Sequence, residues 1–166
     1  MQTYSSLEIN EKSYSNIEEW MIKPKAKVIF DWDNTLKIYR KSDQTLSSRI
    51  AKDRLLYWKN SLSCELFIIS AIQPSRMNME TILLEVDKLN LMEVFTCQND
   101  KITVVRGKYA RKGAVIICGY DKAETFLELG DVDHKKDDNI IFFDDEFINV
   151  YNFRAIVPRS QCYLIQ

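Results

Sequence analysis

Read for its alternation of apolar and polar positions, the chain separates into short buried runs and longer amphipathic stretches. Lys27–Phe30 is an apolar run that ends in acidic residues, which predicts a buried strand. A polar loop follows, in which Thr45, Ser47 or Ser48 can cap a helix carrying Ala51, Leu55, Trp58 and Leu62 on one face. Leu66–Ile69 is a second strand, stopped by Ser70, and Met79, Ile82, Leu83, Val86 and Leu89 then recur at helical spacing. Val94–Thr96 is read as a third strand. Residues 98–113 read as a hairpin or an irregular insertion.

Ala114–Cys118 is a fourth apolar run. Asp121 then caps a helix, with Glu124 three residues on as its reciprocal partner. Asp131–Asp138 is a charged turn, and Asn139–Phe143 is a fifth run, ending in Asp144-Asp145. Ala155–Val157 and Tyr163–Ile165 could add an edge. Residues 1–25, with one short amphipathic helix around Ile17–Ile22, read as an arm before a single domain over 26–166. Strands that alternate with helices predict an α/β fold, a mostly parallel sheet covered on both faces. Ligands of such sheets bind beyond the carboxyl ends of the strands, where the strand order reverses. The polar residues placed there are Asp31, Asp33, Ser70, Asp144 and Asp145.

Composition narrows the class. A chain of 166 residues, 46% apolar and 11% aromatic, can bury a core without disulfides or structural metal. A net charge of −1, from 23 basic and 24 acidic residues, gives no whole-chain attraction to nucleic acid or membrane. No apolar run reaches transmembrane length, and residues 1–25 lack the apolar segment of a signal peptide. The four cysteines form no C-x-x-C pair and read as reduced thiols of a cytoplasmic protein, and with His134 the only histidine, zinc has little support.

The chemistry concentrates at two strand ends. Asp31 with Asp33 and Asp144 with Asp145 would put four acids in a small volume if their strands are neighbours. Like charges that close raise one another's pKa, and Mg²⁺ suits a site of carboxylates, carbonyls and waters. A carboxylate can attack phosphorus to form an acyl phosphate, and a second acid can protonate the leaving oxygen and then activate water. Ser70 offers a hydroxyl, and Lys122 offers an ammonium in the first turn of a capped helix. Lys112 competes for that role, but it precedes a strand rather than opening a helix. Asp131-Val132-Asp133 repeats the spacing of Asp31-Trp32-Asp33 without an apolar strand before it, and reads as a solvated turn.

These residues resemble the motifs of the haloacid dehalogenase (HAD) superfamily. Asp-x-Asp-x-Thr at 31–35 looks like its first motif, Ser70 its second, Lys122 its third and Ile-Ile-Phe-Phe-Asp-Asp-Glu-Phe-Ile-Asn at 140–149 its fourth. The order spans residues 27–157 and is similar to the capless magnesium-dependent and C-terminal-domain phosphatase branch. The resemblance implies a Rossmann-like three-layer α/β/α sandwich and hydrolysis of a phosphomonoester. It implies Asp31 as nucleophile and Asp33 as general acid/base. It further implies Mg²⁺ held by Asp31, Asp33, Asp144 and Asp145. Thr35, Ser70 and Lys122 would surround the substrate phosphate, with Thr35 holding the loop. Ala71-Ile72 stand where that branch usually carries Arg-Thr.

The expected partner is a phosphorylated substrate: a phosphoprotein, a sugar phosphate or a nucleic-acid end. Intervals of 39 residues from Asp31 to Ser70 and 52 from Ser70 to Lys122 leave no room for a separate cap domain. Lys101, Arg106, Lys108, Arg111 and Lys112 with Tyr109 could touch a nucleic-acid end, and read more simply as the solvated face of a hairpin. A phosphate-binding or partner-binding module of the same fold without turnover is the other alternative.

Overall fold

The computed structural model describes residues 11–119, 121–131 and 139–166. Ten strands are assigned among them: β1 (Ser13–Tyr14), β2 (Lys27–Asp31), β3 (Lys37–Arg40), β4 (Thr45–Ser48), β5 (Glu65–Ala71), β6 (Thr103–Val105), β7 (Tyr109–Lys112), β8 (Val115–Cys118), β9 (Ile140–Asp144) and β10 (Gln161–Ile165). The helices are α1 (Lys52–Asn60), α2 (Arg76–Lys88), α3 (Met92–Phe95), α4 (Lys122–Leu129) and α5 (Phe147–Ile156). The main sheet has eight strands in the order β1-β10-β9-β2-β5-β8-β7-β6. From β1 to β8 every neighbouring pair is parallel, and β7 and β6 close the far edge as an antiparallel hairpin. The protein is therefore α/β, with a mixed and mostly parallel sheet.

The sheet is buried on both faces, so its central strands are apolar at every position rather than at every second one. Side chains still alternate between faces. Val28 and Phe30 of β2, with Ile141 and Phe143 of β9, pack toward Leu55 and Trp58 of α1 and Met79, Ile82 and Val86 of α2. Ile29 and Phe142 pack toward Ala123 and Phe126 of α4 and Val150 and Phe153 of α5. Two more residues along, the same alternation brings Asp31 and Asp144 to the face that α4 and α5 cover. The chain runs β2, β5, β8 outward on one side of β2, then returns to place β9 on the other. The strand order thus reverses between β2 and β9, where both strands end in aspartate.

Four expectations need correction. Thr45, Ser47 and Ser48 cap no helix: Thr45–Ser48 is β4, which pairs antiparallel with β3 in a separate two-stranded ribbon. Alternating half-buried and exposed positions suit those β-branched and small residues to a ribbon edge. Helix α1 begins instead after Ala51, without a side-chain cap. Val94–Thr96 is no strand, since Val94 and Phe95 are buried as two residues of the single-turn helix α3. Ala155 and Ile156 finish α5, and β10 is covered in turn by β1, so the outermost strand is one that the apolar pattern had not marked.

Residues 98–113 include the hairpin β6–β7, which extends the main sheet. Asp121 caps α4 by accepting the Glu124 backbone N–H at 2.8 Å. The stretch around Ile17–Ile22 carries one 3-10 turn, Glu19–Met21, with Ile17, Met21 and Ile22 buried against the domain. The Asp131–Asp138 turn and His134 lie outside the described residues, apart from Asp131, which pairs with Arg111 at 3.0 Å. Among the described residues no helix is long and apolar enough to cross a membrane.

Candidate functional site

The backbone after β2 turns back at once. The Leu36 N–H donates to the Asp31 carbonyl at 3.2 Å, the Lys37 N–H to the Trp32 carbonyl at 2.8 Å and the Asn34 N–H to the Lys37 carbonyl at 2.9 Å. Asn34 takes the left-handed conformation this requires, at φ 64°, which asparagine tolerates better than most residues. Arg49 clamps the turn from outside, donating to the carbonyls of Thr35 at 2.6 Å and Asn34 at 3.0 Å. The result is a short rigid loop that delivers Asp31 and Asp33 at the end of a buried strand.

Asp31 is 7% exposed, Ser70 3%, Lys122 5% and Asp144 fully buried. Such groups must be satisfied inside the fold. Lys122 does most of this: its Nζ donates to Asp31 Oδ1 and to Asp144 Oδ2, both at 2.6 Å. Thr35, also fully buried, donates its hydroxyl to Asp31 Oδ2 at 3.0 Å. The Glu146 backbone N–H donates to Asp144 Oδ1 at 2.9 Å. Lys112, the competing lysine, lies half-buried on β7.

Three carboxyls around one ammonium leave an excess of negative charge. Burial pushes the Asp31 carboxyl up to about 7; Lys122 pulls the other way, and the Asp145 carboxyl within hydrogen-bonding reach pushes up again. Burial and the Asp31 charge raise Asp144 to about 6. Asp145 is raised as well, first by burial. Burial opposes the charged form of Lys122, yet the Asp31 and Asp144 carboxylates outweigh it and hold its pKa above the ordinary lysine value. This centre therefore binds protons more tightly than ordinary carboxylates do, and a further cation would favour the charged forms.

Asp31, Asp144 and Asp145 each offer an oxygen, all within 4.8 Å of one another. An all-oxygen donor set of that size suits a hard divalent cation. The side chain of Asp33 stands apart from this trio and pairs with Lys37, Nζ to Oδ1 at 2.5 Å.

A cavity of about 170 Å³ opens over the centre. Asp31, Asp33, Ser70, Lys122, Asp144 and Asp145 all line it, so residues up to 114 positions apart in the chain meet at one place. Thr35 is buried behind Asp31, to which it is hydrogen-bonded, and does not line the cavity. Ala71, the residue after Ser70, also lines the cavity, so a methyl group stands there. Asn149, early in α5, reaches the same wall.

Sequence reasoning passed over four contributors. Arg49 pins the loop, and Glu146 supplies a backbone donor to Asp144. Lys37 and Glu85 hold the loop from the side of α2: Glu85 accepts the Trp32 indole N–H and the Lys37 ammonium, each at 3.0 Å. Burial again opposes the charged form of Lys37, and Asp33 and Glu85 again outweigh it. Lys37 could have been marked by its four-residue spacing from Asp33. Glu85 is 48 positions from Lys37 and carries no local signal.

No protein-family model matches the chain, and no curated protein matches it.

Proposed function

We propose that the chain is a Mg²⁺-dependent phosphomonoesterase of the haloacid dehalogenase superfamily, working through an aspartyl phosphate on Asp31. The observation that carries this reading is the convergence of Asp31, Asp33, Ser70, Lys122, Asp144 and Asp145 on one cavity at the reversal of strand order. In parallel α/β sheets that is the usual place for a ligand.

The residues divide the work as follows. Asp31 supplies the attacking carboxylate oxygen, and the Thr35 hydroxyl orients it through the other oxygen. Lys122 favours the ionised form of Asp31 by its 2.6 Å contact, against burial, and offers its remaining ammonium hydrogen to a phosphoryl oxygen. Ser70 adds a hydroxyl from the cavity wall. Asp33, outside the acid trio, is free to give a proton to the leaving oxygen and to take one from the water that later attacks phosphorus. Asp31, Asp144 and Asp145 would hold Mg²⁺, with the Asp33 backbone as a further oxygen; the ion would supply positive charge against the phosphoryl group.

The ribbon β3–β4 is the longest excursion between β2 and α1, and it is too small to enclose a substrate. Among the described residues the site is open, which fits a phosphoryl group carried on a larger molecule. The basic hairpin gives little support to a nucleic-acid end: Lys108 pairs with Glu128 and Arg111 with Asp131. Hydrolysis of p-nitrophenyl phosphate with and without Mg²⁺ tests the proposal. The expected result is turnover that chelation abolishes and that Asp31→Asn lowers by at least about a thousandfold. Full activity in Asp31→Asn refutes it.

A further inference from the structure

Unlike the buried Asp31 and Asp144, Asp33 has a side chain that is half exposed, at 54%. An exposed aspartate samples several rotamers. A proton donor must instead hold its oxygen within hydrogen-bond reach of the leaving group. What holds Asp33 is Lys37, at 2.5 Å from Oδ1. A free lysine would be a poor clamp, since its four-carbon stem is flexible. Here the side chain is only 11% exposed, and Glu85 Oε2 fixes its ammonium from the other side at 3.0 Å.

Glu85 is itself anchored. Its second oxygen accepts the indole N–H of Trp32, a fully buried residue between the two aspartates. It also rides on α2 between the buried Ile82 and Val86. The backbone of Lys37 is tied to the same loop through the Trp32 carbonyl and the Asn34 N–H. One chain of contacts therefore runs from the core helix to a single oxygen of Asp33.

We propose that Lys37, clamped by Glu85, is the positioning residue that aims Asp33 at the leaving group. The inference rests on the phosphatase reading above. With Oδ1 taken by Lys37, the proton-transfer work falls to Oδ2. In the first step the Oδ2 proton passes to the ester oxygen as the P–O bond breaks and the Asp31–phosphorus bond forms. In the second step Oδ2 takes a proton from water as the water oxygen bonds phosphorus and the Asp31–phosphorus bond breaks. Lys37 gains or loses nothing in either step.

The test compares leaving groups. Phenyl phosphate needs a proton on its departing oxygen, whereas 2,4-dinitrophenyl phosphate leaves without one. The ratio kcat/KM covers events up to loss of the first product. Lys37→Met should lower kcat/KM for phenyl phosphate about 10- to 100-fold, part of the 10²- to 10⁴-fold that general acid catalysis supplies. For the dinitrophenyl ester the loss should stay under about threefold by the same reasoning.

Glu85→Gln, which keeps the volume and the contacts of α2, should show the same selective loss in weaker form and serves if Lys37→Met does not fold. Lys37→Arg should recover part of the phenyl phosphate activity. Equal losses on both esters, or no loss, in the folded variants overturn the positioning role while leaving the phosphatase reading intact. A wild-type protein inactive on both esters with Mg²⁺ overturns that reading, and the inference with it.

Discussion

Lys122→Met removes the ammonium that bridges Asp31 and Asp144 and leaves the stem's volume nearly unchanged. The wild-type side chain is 5% exposed and makes two contacts of 2.6 Å to carboxylates that are themselves 9% and 0% exposed. Taking away one partner of a buried ion pair costs about 3–5 kcal/mol, because the remaining charge is buried uncompensated. For a domain of this length about 1 kcal/mol moves the melting temperature by 2–4 °C, so the expected fall at pH 7.5 is roughly 6–20 °C.

The loss has a distinctive pH dependence. Asp31 and Asp144 already titrate near 7 and 6 in the presence of Lys122, and its removal drives both further up. At pH 5 the variant then carries both carboxyls protonated and escapes most of the charge penalty. What remains is lost packing and hydrogen bonding, about 1–2 kcal/mol. Urea unfolding followed by tryptophan fluorescence, in a chelator at pH 5 and pH 7.5, measures both values. A loss below about 1 kcal/mol at pH 7.5, or equal losses at the two pH values, refutes the reasoning that makes Lys122 the counter-charge of a buried acid pair.

Other outcomes follow from the same geometry. Asp31 and Asp144 have folded pKa values above the ordinary 3.8, so between about 4 and 7 the folded state binds more protons than the unfolded one. Stability of the metal-free wild type should therefore fall as pH rises through that window, and a chelated thermal melt that rises instead contradicts the assignment. Thr35→Val loses the hydroxyl that Asp31 Oδ2 accepts, and should cost about 1.5–3 kcal/mol and a larger share of kcat than of KM; unchanged kcat would show that Asp31 needs no such orientation. Gly113→Ala should destabilise without touching catalysis: φ is +57°, and a Cβ would run into the Asp100 carboxylate and the Phe95 carbonyl. A wild-type melting temperature in that variant counts against the tight turn.

The parts of the site that were legible in the sequence share a physical cause. Val28–Phe30 and Ile140–Phe143 are short, apolar at every position and made of β-branched and aromatic residues, as strands buried on both faces are, and carboxylates directly after such strands lie at their ends. Lys122 was legible because Asp121 is a strong helix cap, which sets the lysine in the first turn. The ribbon β3–β4 was not, since Thr and Ser serve both as caps and as strand residues and only the partner strand decides between them. Val94 and Phe95 were ambiguous for a similar reason: a two-residue apolar run has no period, and packing against Phe30 settles it as a helical turn. The Glu85 contact was beyond reach altogether, because it is made only when α2 packs against the loop after β2.

The central claim is that Asp31 becomes phosphorylated, and trapping that bond tests it most directly. Wild-type protein mixed with an aryl phosphate and Mg²⁺, quenched in acid and reduced with borohydride, should yield homoserine at position 31 in the peptide spanning residues 28–36. Mass spectrometry should find no such product in the chelated control. Turnover with Asp31 unmodified at every quench time, or with the label on another residue, would contradict the account.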